Sequence, residues 1–196
     1  MFTGIIETTG LIKDIIREET NLNFVIESSI SNELKIDQSV AHNGVCLTVV
    51  ELGDGWHRVT AIDETLQKTN LGRLLKGNTV NLERCMLANS RYDGHMVYGH
   101  VDQVGTCALI EDAEGSKLIT IEFEPSKTNL IVEKGSICLN GISLTIFNTL
   151  ENSFQVAIIP YTWENTNLKE LSAGQNVNLE FDIVGKYIAK LTQNYS

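Results

Sequence analysis

Short stretches of alternating apolar and polar residues, separated by turn dipeptides, run along most of the chain. From residue 45 to 50 the sequence reads VCLTVV. Successive side chains of a β-strand point to opposite faces, so Val45, Leu47 and Val49 would share one face and leave Cys46 and Thr48 on the other. Stretches of this length bounded by turn signals predict a chain built mainly of short strands.

Turn dipeptides mark where these strands begin and end. Asn43-Gly44 and Asn140-Gly141 each stand directly before an alternating stretch, and such pairs favour tight hairpin turns. Asp54-Gly55 and Asp93-Gly94 predict further turns. Between strands, the segment from Glu64 to Leu75 predicts a short helix, with Thr65 or Asp63 as its N-terminal capping residue.

An internal repeat divides the chain into two similar halves. Three motifs recur at an offset of 97 residues: NGVCLTV at 43–49 as NGISLTI at 140–146, TLQKTNL at 65–71 as TWENTNL at 162–168, and GNTVNLE at 77–83 as GQNVNLE at 174–180. At the start, MFTG at 1–4 matches MVYG at 96–99, an offset of 95. One duplication explains all four matches, and it predicts two domains with a boundary near residues 88–95.

Each half has the size and pattern of a small closed barrel. About 90 residues with several short strands and one helix fit such a fold, in which an antiparallel sheet has no exposed edge. The end of the chain differs, because Ile183, Tyr187 and Leu191 recur every four residues and draw an apolar stripe on a helix. That stripe could be covered by the body of the protein or by copies of the same helix, and the sequence leaves both open.

Composition and charge exclude several classes of function. The formal net charge of −10 disfavours binding to nucleic acid, whose phosphates are also negative. No apolar run approaches the roughly 20 residues of a membrane span, and the start of the chain lacks the basic and apolar regions of a secretory signal. The four cysteines and four histidines have no metal-ligand spacing. We therefore expect a cytosolic protein without a metal.

The two halves differ at residues that could carry chemistry. Cys46 in the first half corresponds to Ser143 in the second, and His100 in the second half corresponds to Ile5 in the first. Cys46 and His100 could be ordinary core residues. Cys46 shares a strand face with Thr48, however, and His100 follows a glycine where backbone can approach a ligand. A wall of thiol and hydroxyl groups inside a small barrel predicts a polar small-molecule ligand.

Several long motifs resemble the riboflavin synthase family, and together they cover essentially the whole chain. They are MFTGIIE at 1–7, SVAHNGVCLT at 39–48, Gly94-His95 with GHVD at 99–102, KGS at 134–136, GISLT at 141–145 and FDIVGKY at 181–187.

The resemblance implies a fold, an assembly and a set of site residues. It implies a mainly β chain with two six-stranded Greek-key barrels (residues 1–94 and 95–182) and a C-terminal helix (183–196) that forms a homotrimer. Each barrel would bind one molecule of 6,7-dimethyl-8-ribityllumazine. The active site would lie between the N-terminal barrel of one subunit and the C-terminal barrel of its neighbour, which agrees with a thiol and an imidazole placed in different halves. The implied substrate-binding residues are Gly4, Ile5, Ile6, Ser39, Cys46, Leu47, Thr48, Thr60, Ala61, Ile62, Asp63, Glu64, Thr65, Gly99, His100, Val101, Lys134, Ser143, Leu144, Thr145, Ala157, Ile158, Ile159, Pro160, Tyr161, Thr162 and Asp182.

The implied reaction is the transfer of four carbons between two lumazine molecules, with no cofactor or metal. One lumazine loses a proton from its 7-methyl group, and the other is attacked by a nucleophile and gives up the four carbons. Cys46, His100, Ser143 and Lys134 are the implied catalytic residues. His100 would handle protons, and Cys46 would be the nucleophile or would stabilise the attacking water.

One residue departs from the family pattern, and two other functions stay open. Asn140 stands where many members carry aspartate, and an amide cannot accept a proton as a carboxylate can. Because Asn43 is the equivalent residue of the first half, a turn-forming role explains both. The other functions are a non-enzymatic lumazine or flavin binder, as in light-emitting bacteria, and an oligonucleotide-binding barrel. The acidic charge argues against the latter.

Overall fold

The computed structural model describes residues 1–126 and 129–193, and in these it contains twelve β-strands and three α-helices. The strands are β1 (Thr8–Glu18), β2 (Asn21–Glu27), β3 (Ser39–His42), β4 (Val45–Gly53), β5 (Trp56–Ala61), β6 (Thr79–Arg84), β7 (Gln103–Ala113), β8 (Ser116–Glu122), β9 (Ser136–Leu139), β10 (Ile142–Phe147), β11 (Ser153–Ile158) and β12 (Asn176–Phe181). The helices are α1 (Asp63–Lys68), α2 (Pro160–Asn165) and α3 (Ile183–Gln193).

The strands form two closed six-stranded antiparallel barrels of identical topology. In the first, here the N-barrel, the order is β1-β2-β5-β4-β3-β6, and β6 pairs with β1 to close the sheet. In the second, the C-barrel, the equivalent strands follow the same order, with β12 pairing with β7. The two closed barrels confirm the prediction made from the repeat, and their six-stranded Greek-key order confirms the fold that the family resemblance implied.

Alternation along the strands separates the barrel interiors from their outer surfaces. Val45, Leu47 and Val49 lie in the N-barrel core, as the pattern predicts. Cys46 and Thr48 consequently lie on the outer face, half-buried and exposed respectively. The expectation of a polar wall inside the barrel was wrong, because the apolar partners on the same strand take the interior positions.

The two repeated Asn-Gly turns meet at the interface between the barrels. Both residues of each turn have positive φ, 49° and 77° at Asn43 and Gly44, and 47° and 84° at Asn140 and Gly141. A Cβ added to Gly44 would lie 2.7 Å from the backbone nitrogen of Gly141. Glycine is needed here for two reasons, since the backbone is left-handed and the two turns approach each other closely.

Asparagine side chains link the barrels across the same interface. Asn81 Nδ2 donates to the backbone oxygen of Asn140 at 2.9 Å, and the equivalent Asn178 donates to that of Asn43 at 2.9 Å. In addition, the backbone N–H of Asn70 donates to Oδ1 of Asn178 at 2.6 Å. Buried polar groups need such partners, so the repeated asparagines fix how the barrels dock.

The helix predicted from Glu64 to Leu75 is shorter than expected. α1 ends at Lys68, and a separate 3₁₀ turn spans Asn70–Arg73. Thr69 between them is extended (φ −126°, ψ 168°), and its hydroxyl accepts the N–H of Leu71. The expected caps were also wrong, since the residue before the helix is Ile62, which makes no side-chain cap. The helix ends where the N–H of Asn70 bonds to Asn178 of the other barrel, a contact that the local sequence does not reveal.

α3 extends from the C-barrel with its apolar side in solvent. Lys186 donates to both carboxylate oxygens of Asp102, at 2.6 and 2.7 Å, and Ala189 is buried. Tyr187 and Leu191 are 67% and 60% exposed, so the body of the same chain does not cover the predicted stripe. Among the described residues, no helix has the length and apolar character needed to cross a membrane.

Candidate functional site

Two segments cross between the barrels, and each completes a surface site on the barrel of the other half. The central crossover segment, residues 97–101, belongs to the second half but lies on the N-barrel. The backbone N–H of Cys46 donates to the oxygen of Gly99 at 2.9 Å, and Val101 packs against the N-barrel core. An added Cβ on Gly99 would lie 2.5 Å from Cβ of Cys46, so only glycine permits this approach. We call this the N-barrel half-site.

The N-terminal crossover segment, residues 2–6, makes the equivalent contact with the C-barrel. The N–H of Ser143 donates to the oxygen of Gly4 at 2.8 Å, and Ile6 packs against the C-barrel core. Gly4 and Gly99 have nearly equal φ, 77° and 78°. We call this second region the C-barrel half-site.

The candidate residues divide between these two regions. Around the N-barrel half-site the structure places Ser39, Cys46, Leu47, Thr48, Thr60 to Thr65, Gly99, His100 and Val101. Around the C-barrel half-site it places Gly4, Ile5, Ile6, Lys134, Ser143, Leu144, Thr145 and Ala157 to Thr162. Asp182 directly precedes α3, where its carboxylate accepts the N–H of Val184 at 2.9 Å. The side chains of Leu47, Ala61 and Ile158 point into the barrel cores, so these residues can offer a ligand only backbone.

Cys46 and His100 belong to the same half-site of the same chain. His100 follows Gly99, whose oxygen accepts the N–H of Cys46, and its own ring is exposed beside Tyr98, with 6.0 Å between ring centroids. The two residues lie in different halves of the sequence, but the crossover of residues 97–101 brings them together. Because both residues lie in one half-site of one chain, their position in different halves of the sequence does not indicate a site between subunits. That interpretation was wrong.

The C-barrel half-site contains a hydrogen-bonded imidazole and hydroxyl. His95 is buried, and its Nδ1 lies 2.7 Å from Oγ of Ser143. Burial lowers the pKa of His95, and the nearby Asp182 carboxylate partly opposes that shift. The ring is therefore neutral at pH 7 and can accept a proton from the hydroxyl.

The N-barrel half-site carries a thiol that stays protonated. Burial raises the pKa of Cys46, and a hydrogen bond with Ser39 only partly offsets the effect. Cys46 also contacts a small apolar cluster between the barrels that includes Phe2 and Val97. A neutral thiol is a weak hydrogen-bond donor and not the nucleophilic thiolate.

Lys134 lies on the outer face of the C-barrel, beyond Ser143 and Thr145. Its Nζ is 5.5 Å from the ring centre of Phe147, which continues the same strand face. The side chain is 73% exposed. Such a lysine can reach a polar or anionic ligand group from solvent, and Phe147 offers an apolar surface beside it.

Asn140 has a structural environment distinct from that of Ser143. It is buried, and its Oδ1 accepts the N–H of Asn178 at 2.8 Å and Nδ2 of Asn70 at 3.2 Å. Asn43 accepts equivalent bonds in the other half. The turn-forming and docking role therefore accounts for Asn140.

Four residues of the site were not found from the sequence. Asn23 accepts the hydroxyl of Thr60 at 2.6 Å, and Glu83 and Glu180 bind the crossover segments. His95 was noticed only as part of a motif. The comparison of repeats could not detect it, because the offset of 95 puts its equivalent before residue 1. The two glutamates end the repeated motif VNLE, and that identity in both halves was the available signal.

Comparison with protein families supports the duplicated architecture. The family described as "Lumazine binding domain" matches twice, at residues 3–85 and 98–182. Riboflavin synthase of Actinobacillus pleuropneumoniae is 43% identical over 189 residues, which are 96% of this chain and 88% of the relative. Riboflavin synthase of Bacillus subtilis (strain 168) is 40% identical with the same coverage.

Solved structures agree with the fold over most of the chain. LumP complexed with 6,7-dimethyl-8-(1'-D-ribityl) lumazine superposes with a TM-score of 0.83 at 25% identity, over 92% of this chain and 98% of that one. LumP complexed with riboflavin gives a TM-score of 0.86 at 26% identity, over 92% and 99%.

Proposed function

Since the chain belongs to the riboflavin synthase family, built on two lumazine-binding domains, we propose that it performs the reaction of that family. It is a transferase that converts two molecules of 6,7-dimethyl-8-ribityllumazine into riboflavin and 5-amino-6-(D-ribitylamino)uracil. The four carbons lost by one lumazine are gained by the other, so no external oxidant or reductant is required.

The duplicated half-site is the observation that carries this proposal. A reaction between two copies of one compound needs two sites of similar shape but different chemistry. The N-barrel and C-barrel half-sites have the same backbone contacts, at Gly99–Cys46 and at Gly4–Ser143. They differ in reactive groups, since one contains the Cys46 thiol and the exposed His100 ring, whereas the other contains Ser143 hydrogen-bonded to His95.

In the proposed mechanism, the C-barrel half-site activates a hydroxyl. His95 accepts the proton of Ser143, and the nearby Asp182 stabilises the resulting imidazolium. Ser143, or a water hydrogen-bonded to it, then attacks the lumazine that gives up its four carbons. Lys134 and Thr145 bind polar oxygens of that substrate from the outer strand face.

The N-barrel half-site holds the second lumazine and handles its 7-methyl proton. His100 is exposed and free to accept that proton. Cys46 acts as a neutral donor that stabilises charge or water, because its raised pKa disfavours the thiolate. Stacking two flat heterocycles in fixed orientation can supply effective molarities of about 10⁵ M or more.

We propose that the chain assembles into a homotrimer, and the placement of the half-sites supports a site shared between subunits. Phe2 pairs antiparallel with Val97, so the two crossover segments run in opposite directions where they meet, and each contacts a different barrel. In our proposal the two half-sites of one chain do not combine, and a complete site uses the N-barrel of one subunit and the C-barrel of its neighbour. The exposed apolar stripe of α3 supplies the contact between subunits.

The remaining features of the proposal concern boundaries and location. We place the domains at residues 1–94 and 95–182, followed by the helical segment 183–196, whose last three residues lie outside the described part. We propose a cytoplasmic enzyme that uses no cofactor and no metal, and whose partners are its lumazine substrate and its own copies.

Incubation of the purified protein with the lumazine alone tests the proposal. We expect riboflavin and the ribitylaminouracil to form in equal amounts, followed by absorbance and chromatography. Tight binding of lumazine or riboflavin without turnover would instead identify a non-enzymatic binder. Absence of both binding and turnover would refute the lumazine-binding function itself.

A further inference from the structure

Two buried glutamates hold the crossover segments by accepting hydrogen bonds from their backbone N–H groups. Glu180 of β12 accepts three backbone N–H groups of the central segment, from Tyr98 at 2.7 Å and from Gly99 and His100 at 2.9 Å each. Three convergent N–H groups form an anion-binding concavity of the kind that a left-handed glycine creates. The carboxylate of Glu180 fills that concavity.

Glu83 of β6 makes the equivalent contacts with the N-terminal crossover segment. Its carboxylate accepts the N–H and the hydroxyl of Thr3, at 2.7 and 2.9 Å, and the N–H of Gly4 at 3.0 Å. Both glutamates are 4% exposed. Hydrogen bonds to a charged group are stronger than those between neutral groups, which makes these contacts effective anchors.

Each anchored glycine is also bonded, through its carbonyl oxygen, to a strand residue of a half-site. Gly99 donates its N–H to Glu180 while its oxygen accepts the N–H of Cys46. Gly4 is held in the same way between Glu83 and Ser143. A shift of either carboxylate would therefore move the backbone that completes a half-site.

We propose that Glu83 and Glu180 are positioning residues, each fixing the segment that completes the half-site of the opposite barrel. Glu180 belongs to the C-barrel and orders the N-barrel half-site, whereas Glu83 belongs to the N-barrel and orders the C-barrel half-site. In this role each glutamate acts through the backbone that it binds and not through a contact with substrate. The inference rests on the proposed function for the identity of the ligand.

The test is a site-resolved titration of the full chain with riboflavin. Methyl NMR signals of Leu47 and Val101 report on the N-barrel half-site, and those of Ile6 and Leu144 report on the C-barrel half-site. Glu180→Gln should weaken binding at the first pair of signals roughly 10- to 100-fold, the range for losing hydrogen bonds to a charged group. Glu83→Gln should do the same at the second pair. Glu122→Gln, at an exposed site on β8, controls for the change of charge.

The crossed pattern distinguishes positioning from general stability. Equal weakening at both half-sites, or no weakening, would overturn the proposal. If a glutamine variant does not fold, the Glu→Asp variant at the same position, which keeps the charge, takes its place in the titration. The same crossed pattern is then expected, with a smaller loss of affinity. Failure of the unaltered chain to bind riboflavin in either barrel would overturn the proposed function, and this inference with it. Binding in both barrels with unaffected variants would overturn the positioning role alone.

Discussion

A buried pair of histidines should make the N-barrel sensitive to acid. Nε2 of His42 lies 3.0 Å from Nε2 of His57, whose Nδ1 hydrogen-bonds Ser31 at 2.8 Å. Burial lowers the pKa of His57 from 6.5 to about 4, and burial together with His57 lowers the pKa of His42 well below its ordinary value. In the C-barrel the equivalent residues are Leu139 and Phe154.

The direction and size of the effect follow from proton linkage. Between pH 6.5 and about 4 the unfolded chain binds a proton at His57 that the folded chain does not, so the free energy of unfolding falls as the pH falls. One pKa unit corresponds to about 1.4 kcal/mol, which gives a loss from His57 of about 2 kcal/mol at pH 5 and about 3 kcal/mol well below pH 4. His42 adds to the loss in the same direction.

The double variant His42→Leu/His57→Phe copies the C-barrel and should remove this acid sensitivity. Urea unfolding at pH 7.5 and pH 5 measures it, with Trp56 fluorescence reporting on the N-barrel in a Trp163→Phe background. We expect the variant to lose less than the parent between these pH values, by about 2 kcal/mol for His57 and by the further contribution of His42. Glu83 and Glu180, whose raised pKa values act in the opposite direction, are common to both chains and cancel. An identical loss in parent and variant would refute the reasoning.

Three further predictions concern the assembly, the docking asparagine and the chemistry. Removing residues from Val184 onward should dissociate the trimer and abolish most turnover, as sedimentation and kinetic assays would show, whereas a fully active monomer would contradict the shared site. Asn140→Ala should lower the free energy of unfolding by about 1–3 kcal/mol through lost buried hydrogen bonds. Asn140→Asp keeps an oxygen that accepts these hydrogen bonds, and it should not raise the turnover rate. A marked increase in rate would instead indicate that a carboxylate at this position takes part in acid–base catalysis. Turnover should survive a chelator, and its loss with recovery on adding a divalent ion would show that a metal is required.

Much of the fold was predictable because each pattern occurs in both halves of the chain, so a prediction made for one half can be checked against the other. The alternation at 45–50, the positive-φ turns at 43–44 and 140–141 and the equal strand orders all follow from local patterns present twice. The predicted length of the helix was wrong because it depends on contacts across the interface between the two barrels. The helix after Asp63 ends where Asn70 bonds to the other barrel.

The sequence proposed residues for the candidate site but could not show how they are arranged. The repeat and the family motifs identified Cys46, His100 and Ser143, yet a strand pattern does not state which face lies inside a barrel. Nor does the sequence show that residues 97–101 cross to the N-barrel, since that path depends on Glu180 and the Phe2–Val97 pairing. His95 was missed as a partner of Ser143 for the same reason, because only the folded chain brings them together.

The most direct test of the account is complementation between inactive chains that carry lesions in different half-sites. Chains with Cys46→Ser/His100→Ala lose the N-barrel half-site, and chains with His95→Ala/Ser143→Ala lose the C-barrel half-site. After subunit exchange, verified by native mass spectrometry, an equal mixture should recover about a quarter of the unaltered turnover by random pairing around a closed trimer. Mixing Cys46→Ser chains with His100→Ala chains should recover nothing, because every chain then carries one lesion in its own N-barrel half-site and no intact N-barrel half-site exists in the mixture. A first mixture that stays inactive despite exchange, or a second mixture that regains activity, would contradict a site shared between the N-barrel of one subunit and the C-barrel of the next.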